Sequence, residues 1–125
     1  MANHNQDGIL RIWRAFLFSL AGIRATWKHE AAFRLEVWLC LVMIPSALWI
    51  GTNAVERSLL IGSCLVVLIT ELLNSAVESA IDRIGDDHHA LSARAKDMGS
   101  AAVFVSLCLA GVIWTLIGYE RFFAW

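Results

Sequence analysis

The sequence predicts an all-α membrane protein, with three transmembrane helices behind an N-terminal amphipathic helix that lies on the membrane surface. Three observations lead there. Hydrophobic residues make up 58% of the 125-residue chain and charged residues only 17%, against roughly 45–50% and about 25% in soluble domains. Three stretches approach or exceed the ~20 apolar residues that carry a helix across a bilayer core. The charged side chains gather in the flanks of those stretches. A chain of this length is a single domain, residues 1–125, and it is too small to hide so much apolar surface from water.

Residues of about 9–29 form the surface helix. At about 100° per residue, Ile9, Ile12, Trp13, Phe16, Leu20, Ile23 and Trp27 share one arc, and Arg11, Arg14, Arg24 and Lys28 occupy the complementary one. Tryptophans at the boundary and cations toward anionic headgroups suit a helix in the membrane plane. Gly22 is a weak point where it could bend. The polar start, MANHNQDG, lacks the basic-then-apolar order of a secretory signal, so insertion is expected to depend on the spans.

The spans are expected at about 35–55, 58–84 and 92–120. Their apolar cores are 37–55, which is uncharged and contains Pro45; 58–77, with the single ionisable group Glu71; and 98–119, again uncharged. Lipid-embedded helices tolerate an internal proline. Orientation follows from Lys and Arg in the flanks. Arg11, Arg14, Arg24, Lys28, Arg34, Arg83, Arg94 and Lys96 lie on one side, and Arg57 and Arg121 on the other. The N-terminus and the second loop are therefore expected in the cytoplasm. Gly85 to Ser92 reads as a helix stop and a short connection.

The net charge of −1 carries no basic signature, so nucleic acid is not an expected partner. Cys40, Cys64 and Cys108 fall singly in separate apolar segments with no metal-ligand spacing, which reads as small apolar packing. No GxxxxGK[ST] or GxGxxG cradle for phosphates occurs.

The informative segment is the second half of span two. Glu71, Asn74, Ser75, Glu78 and Asp82 fall within an arc of roughly 100° on one helix face. A carboxylate in the hydrocarbon region costs at least ~2.5 kcal/mol, so the stripe needs a reason. Interhelical hydrogen bonding explains Asn74 and Ser75 but leaves three acidic groups in line. A cation-binding site for phosphate chemistry explains the acids, because Mg²⁺ takes one or two carboxylates plus substrate phosphates. An acidic path for ions is a third reading, although spans one and three hold no ionisable residue in their interiors. Glu30 and Glu36 precede span one on the same side, with Asp86, Asp87 and Asp97 near the second loop. Glu30 has two readings on spacing alone, an i,i+4 pair with Arg34 or a ligand. His88 and His89 are adjacent and read as solvated loop residues, and Lys96 as an interface anchor.

The stretch from Glu71 to Asp82, ELLNSAVESAID, resembles the signature of the prokaryotic integral-membrane diacylglycerol kinase family. Glu30-Ala-Ala-Phe33-Arg34 and the stretch from Ala93 to Ala102 resemble its flanking segments, and the likeness runs from about Gly8 to the third span. The resemblance implies a homotrimer in the bacterial inner membrane that transfers the γ-phosphate of ATP to diacylglycerol, giving phosphatidic acid. By the same resemblance Glu71 is the general base and Asn74 its support, while Glu30 and Glu78 hold Mg²⁺. Arg11, Phe18, Glu30, Glu78, Asp87, His88, His89, Lys96 and Asp97 contact nucleotide. Arg11, Ser19, Arg24, Trp27, Phe33, Glu36, Arg57, Glu71 and Ser100 contact lipid. Related members phosphorylate undecaprenol, which is the neighbouring alternative. Asp87 stands where the family pattern has Glu, Ala93 where it has Gly, Phe18 where it has Tyr and Ala21 where it has Lys.

Overall fold

The computed structural model describes residues 4–85 and 89–124. Four helices follow one another: α1 (His4–His29), α2 (Ala31–Ile50), α3 (Ala54–Ile84) and α4 (Ala90–Phe123). The all-helical class is as the sequence predicts, and α2, α3 and α4 are long and apolar enough to cross a membrane. Their 20, 31 and 34 residues correspond to roughly 30, 46 and 51 Å. The last two outrun a hydrocarbon core of ~30 Å.

Several boundaries differ from expectation by a few residues, most tellingly the end of the first span. The sequence predicts a first span reaching about 55, but α2 stops at Ile50 and α3 starts at Ala54. Asn53 Oδ1 accepts from the Glu56 amide at 2.9 Å. The Glu56 carboxylate in turn accepts from the Thr52 amide at 2.7 Å and the Thr52 hydroxyl at 2.8 Å. These bonds satisfy amides that open the helix, as capping boxes do. The apolar Ala54 and Val55 between the caps hide this signal in a run without charge. Gly51 makes the turn tight: a β-carbon there would meet Arg57 Cγ at 2.6 Å, and Arg57 Nε donates to the Gly51 carbonyl at 3.1 Å.

At the other end α3 stops as expected at Gly85, whose φ of 150° suits a residue without Cβ. The predicted connection reaches Ser92, whereas α4 already begins at Ala90. His89 starts it by accepting the Leu91 amide on Nδ1 at 3.1 Å, a capping role that spacing alone does not reveal. Pro45 lies inside α2, where its missing N–H frees the carbonyl four residues earlier. Gly22 does not break α1, and the Thr26 hydroxyl donates to its carbonyl at 2.9 Å.

α3 is the axis of the molecule, with α4 on one side and α2 on the other. The α3–α4 seam is held by polar pairs spaced along antiparallel helices. Trp114 Nε1 donates to Ser63 Oγ at 3.1 Å, the Thr70 and Ser106 hydroxyls lie 2.9 Å apart, and Lys96 Nζ meets Asp82 Oδ1 at 2.8 Å. Between them Gly99 lets α4 approach so closely that a β-carbon there would collide with Asn74 Oδ1. The buried apolar residues Phe33, Cys40, Ala47, Leu60, Cys64 and Val67 all come from α2 and α3. Lipid is as apolar as these side chains, so the seams depend on close packing and interhelical hydrogen bonds. Many large apolar side chains on all four helices stay exposed.

Because Gly99 alone among the α4 glycines faces a neighbour within 4 Å, Gly99→Ala is expected to cost about 1–3 kcal/mol. Gly111→Ala meets nothing and is expected to be neutral. Thermal unfolding of the two variants in detergent checks the contrast, and equal transitions would contradict the close approach at Gly99.

Candidate active site

The polar stripe of α3 is where the helices bring acid together. Glu71 is buried, with 6% of its surface exposed, because α2 covers it. The Glu36 carboxyl of α2 faces the Glu71 carboxyl, and Glu30 and Glu78 lie close enough for their charges to act on Glu71. Glu36 Oε2 is buried without a hydrogen-bond donor. Four carboxyl groups thus lie within electrostatic reach of one another, or of Glu71, where α1 turns into α2. None forms an ion pair among the described residues, where the one ion pair joins Asp82 to Lys96; of the four, Glu78 alone feels the Lys96 charge.

Local backbone chemistry explains how Glu30 gets there. It is the N-cap of α2, in extended conformation, and its side chain makes no capping bond. Arg34 offers no pairing either. Its guanidinium donates to the carbonyls of Trp27 at 2.6 Å and Lys28 at 3.2 Å, satisfying the end of α1. The i,i+4 reading of Glu30 with Arg34 therefore fails. Arg34 fixes the corner, and Glu30 is left to point elsewhere.

Asn74 and Ser75 sit one turn from Glu71. Asn74 Nδ2 reaches Glu78 Oε1 at 3.5 Å, while Asn74 Oδ1 and Ser75 Oγ are buried without partners. Asn74 Oδ1 packs against Gly99 of α4, so the α3–α4 contact uses its bulk without giving it a hydrogen-bond donor. Ser75 also borders a groove of about 500 Å³ between α1 and α3, with Glu30, Ser19, Thr26, His29 and Ser79 along it. Thr26, His29 and Ser79 were not singled out from the sequence. Their signal was faint: Thr26 shares the small-residue face of Gly22 and Ala25, and Ser79 continues the spacing of Ser75.

The remaining sequence-predicted residues are scattered. Phe33 is buried, and Trp27 meets Trp38 at a tilt, with ring centres 6.2 Å apart. Lys96 sits beside Asp82 with Glu78 next within its reach, while Asp97, Ser100 and Arg24 are exposed nearby on their helices. Arg11 and Phe18 are not brought in. They lie on exposed α1, roughly 28 and 18 Å along the axis from Glu30. Arg57 is not brought in either, being clamped on Gly51 at the opposite end of α3, roughly 21 Å along the axis from Glu71. Asp87 and His88 lie outside the described residues.

The donor set of this corner is oxygen throughout. Among the described residues no three acidic, His or Cys groups converge tightly enough to hold a metal alone. Mg²⁺ does not require that, since it binds through one or two carboxylates, waters and substrate phosphates. Carboxylates held in no ion pair among the described residues fit such an ion.

Residues 17–118 match the family model described as prokaryotic diacylglycerol kinase. The chain is 46% identical over 122 residues to a diacylglycerol kinase of Escherichia coli (strain K12), covering 98% of this chain and 99% of that one. It is 49% identical over 112 residues to one of Pseudomonas aeruginosa, covering 90% and 91%. A diacylglycerol kinase of Haemophilus influenzae is 45% identical over 111 residues, covering 89% and 94%.

Arg34→Gln should loosen the corner that holds Glu30. Losing charge-assisted bonds to two carbonyls in a half-exposed setting is expected to cost about 1–2 kcal/mol. Amide exchange across residues 27–31 should speed up in the variant. Unchanged exchange would show that the corner holds without Arg34.

Proposed function

Because the chain belongs to the prokaryotic diacylglycerol kinase family, we propose that it transfers the γ-phosphate of ATP to the hydroxyl of diacylglycerol, forming phosphatidic acid, with Glu71 as the general base. The observation that carries this reading is the buried Glu71 carboxyl amid Glu30, Glu36 and Glu78. Counted from Ala54, Glu71 lies roughly 25 Å along α3 and Glu78 roughly 36 Å. Across a core of ~30 Å, that sets Glu71 just inside one boundary and Glu78 among the headgroups. A diacylglycerol hydroxyl sits at this depth while its tails remain in lipid.

The residues act by alignment and charge. Glu71 accepts the hydroxyl proton as the oxygen attacks the γ-phosphorus, and the adenosine diphosphate leaves in line. Asn74 steadies Glu71 and Glu78 from one helical turn away. Glu30 and Glu78 would hold Mg²⁺, which would neutralise phosphate charge when bound. Lys96, released from or shared with Asp82, faces phosphate, and Asp97 and His89 border the nucleotide with Asp87 and His88. Ser19, Arg24, Trp27, Phe33, Glu36 and Ser100 line the lipid's approach, and Arg57 meets the lipid only at the far end of the span. The family departures at Asp87, Ala93, Phe18 and Ala21 bear on nucleotide and headgroup contacts, not on the carboxylate row.

The groove of about 500 Å³ is too small for ATP and a lipid together, and Arg11 and Phe18 are remote within one protomer. Both points support a homotrimer in which a neighbour completes each site. The extensive exposed apolar surface suits contacts with lipid and with neighbouring copies. α1 carries its apolar arc in the membrane plane, and eight Lys and Arg against two support a cytoplasmic N-terminus in the inner membrane of a bacterium. The chain then works as a single membrane-embedded kinase domain.

Purified protein with radiolabelled ATP and Mg²⁺ should label diacylglycerol in preference to undecaprenol. Preferential labelling of undecaprenol would move the chain to that specificity, and labelling of neither would end the kinase reading. Glu71→Gln should lower kcat by about 10²–10⁴-fold, the usual worth of a general base, with ATP binding retained. Near-normal kcat would refute the role. Glu78→Gln should shift the Mg²⁺ titration to higher concentration, and an unchanged titration would remove it from the metal site.

A further inference from the structure

Beneath the carboxylates, deeper in the membrane, α2 and α3 bring together two cysteines that the proposed chemistry does not use. Cys40 lies one turn from Glu36 on α2, and Cys64 two turns from Glu71 on α3. Both are free and buried, at 7% and 3% exposed. The Cys40 thiol donates to the Cys64 carbonyl at 3.8 Å, and the two thiols are within reach of each other. Their neighbours make the contact rigid. Ala47 and Leu60, both fully buried, flank it on the side away from Glu71. Ser63, next to Cys64, is tied to Trp114 of α4 at 3.1 Å. Cys108, by contrast, is exposed on α4.

We propose that Cys40 and Cys64 form an oxidisable thiol pair whose disulfide locks α2 to α3 beneath the acidic corner. Each thiol loses its hydrogen and one S–S bond forms. The two electrons and two protons pass to a quinone, which becomes the hydroquinone. A lipid-soluble quinone suits the site because the pair is walled by helices in the apolar part of the molecule. Aqueous disulfides are charged and bulky and do not enter. The product is neutral, so it adds no charge to a region that would penalise one. Bridging two elements that pack antiparallel limits how far the unfolded chain can expand, which is the main way disulfides stabilise. Redox state would then set how firmly the helix bearing Glu36 is held against the one bearing Glu71. The inference does not depend on the kinase reading.

The test uses the full chain in detergent, incubated with duroquinone, whose fully substituted ring cannot add thiols. Cysteines are then alkylated under denaturing conditions and counted by mass spectrometry. Expected is a monomeric species two hydrogens lighter, with Cys108 alone alkylated and a thermal transition raised by several degrees that dithiothreitol reverses. Cys108→Ser should still oxidise, and Cys64→Ser should keep both of its remaining thiols. Because the wild-type count stands alone, misfolding of a variant does not blunt the test. Three alkylated cysteines after treatment, a dimer linked through Cys108, or equally fast crosslinking by oxidised glutathione would each overturn the proposal.

Discussion

A carboxylate held inside a lipid-embedded helix is the constraint on which the rest of the structure depends. Glu71 is buried on α3 with three further carboxyl groups around it, and hydrocarbon offers it no water. Such an arrangement costs energy, and the fold bears that cost with devices seen elsewhere in the chain. Arg34 fixes the α1–α2 corner through main-chain carbonyls. Gly99 lets α4 close on Asn74. The Thr70–Ser106 and Ser63–Trp114 pairs hold the α3–α4 seam where hydrophobicity cannot.

This division of labour separates the molecule along α3. The turn at Gly51–Asn53 and the apolar α2–α3 seam are built for packing, and Arg57 belongs to that end as a clamp. The opposite end spends its polar atoms differently: Asn74 Oδ1, Ser75 Oγ and Glu36 Oε2 are left without partners. Unsatisfied buried acceptors are rare in finished packing. Under the proposed reading, a lipid alcohol from the membrane and a phosphate from water meet at that end.

The helices and the acidic row were legible in the sequence because both rest on periodicity. Apolar runs of membrane length and a 3.6-residue spacing of Glu71, Asn74, Ser75 and Glu78 survive in one dimension. What was not legible depends on contacts between helices. The Asn53–Glu56 box is masked by the apolar residues it brackets, so the expected first span is set too far along the chain and runs past Ile50, where α2 stops. His89 looked like a loop residue, and its ring turned out to cap α4. Glu30 had two readings at equal spacing, and the main-chain carbonyls claimed by Arg34 remove the ion-pair reading. Arg11, Phe18 and Arg57 came with the family resemblance; helix rise alone puts Arg57 far from Glu71, whereas the distance of Arg11 and Phe18 needed α1 to be seen as one unbroken helix.

The central claim is that the carboxylates at this end of α3 receive a metal–nucleotide complex. Paramagnetic Mn²⁺ in place of Mg²⁺, added with a non-hydrolysable ATP analogue, tests it most directly by nuclear magnetic resonance. The account predicts nucleotide-dependent broadening of signals around Glu30, Glu71 and Glu78, with Gly51 and Arg57 untouched. Broadening centred on the Gly51–Arg57 turn, or none at Glu30 and Glu78 with the nucleotide bound, would contradict it.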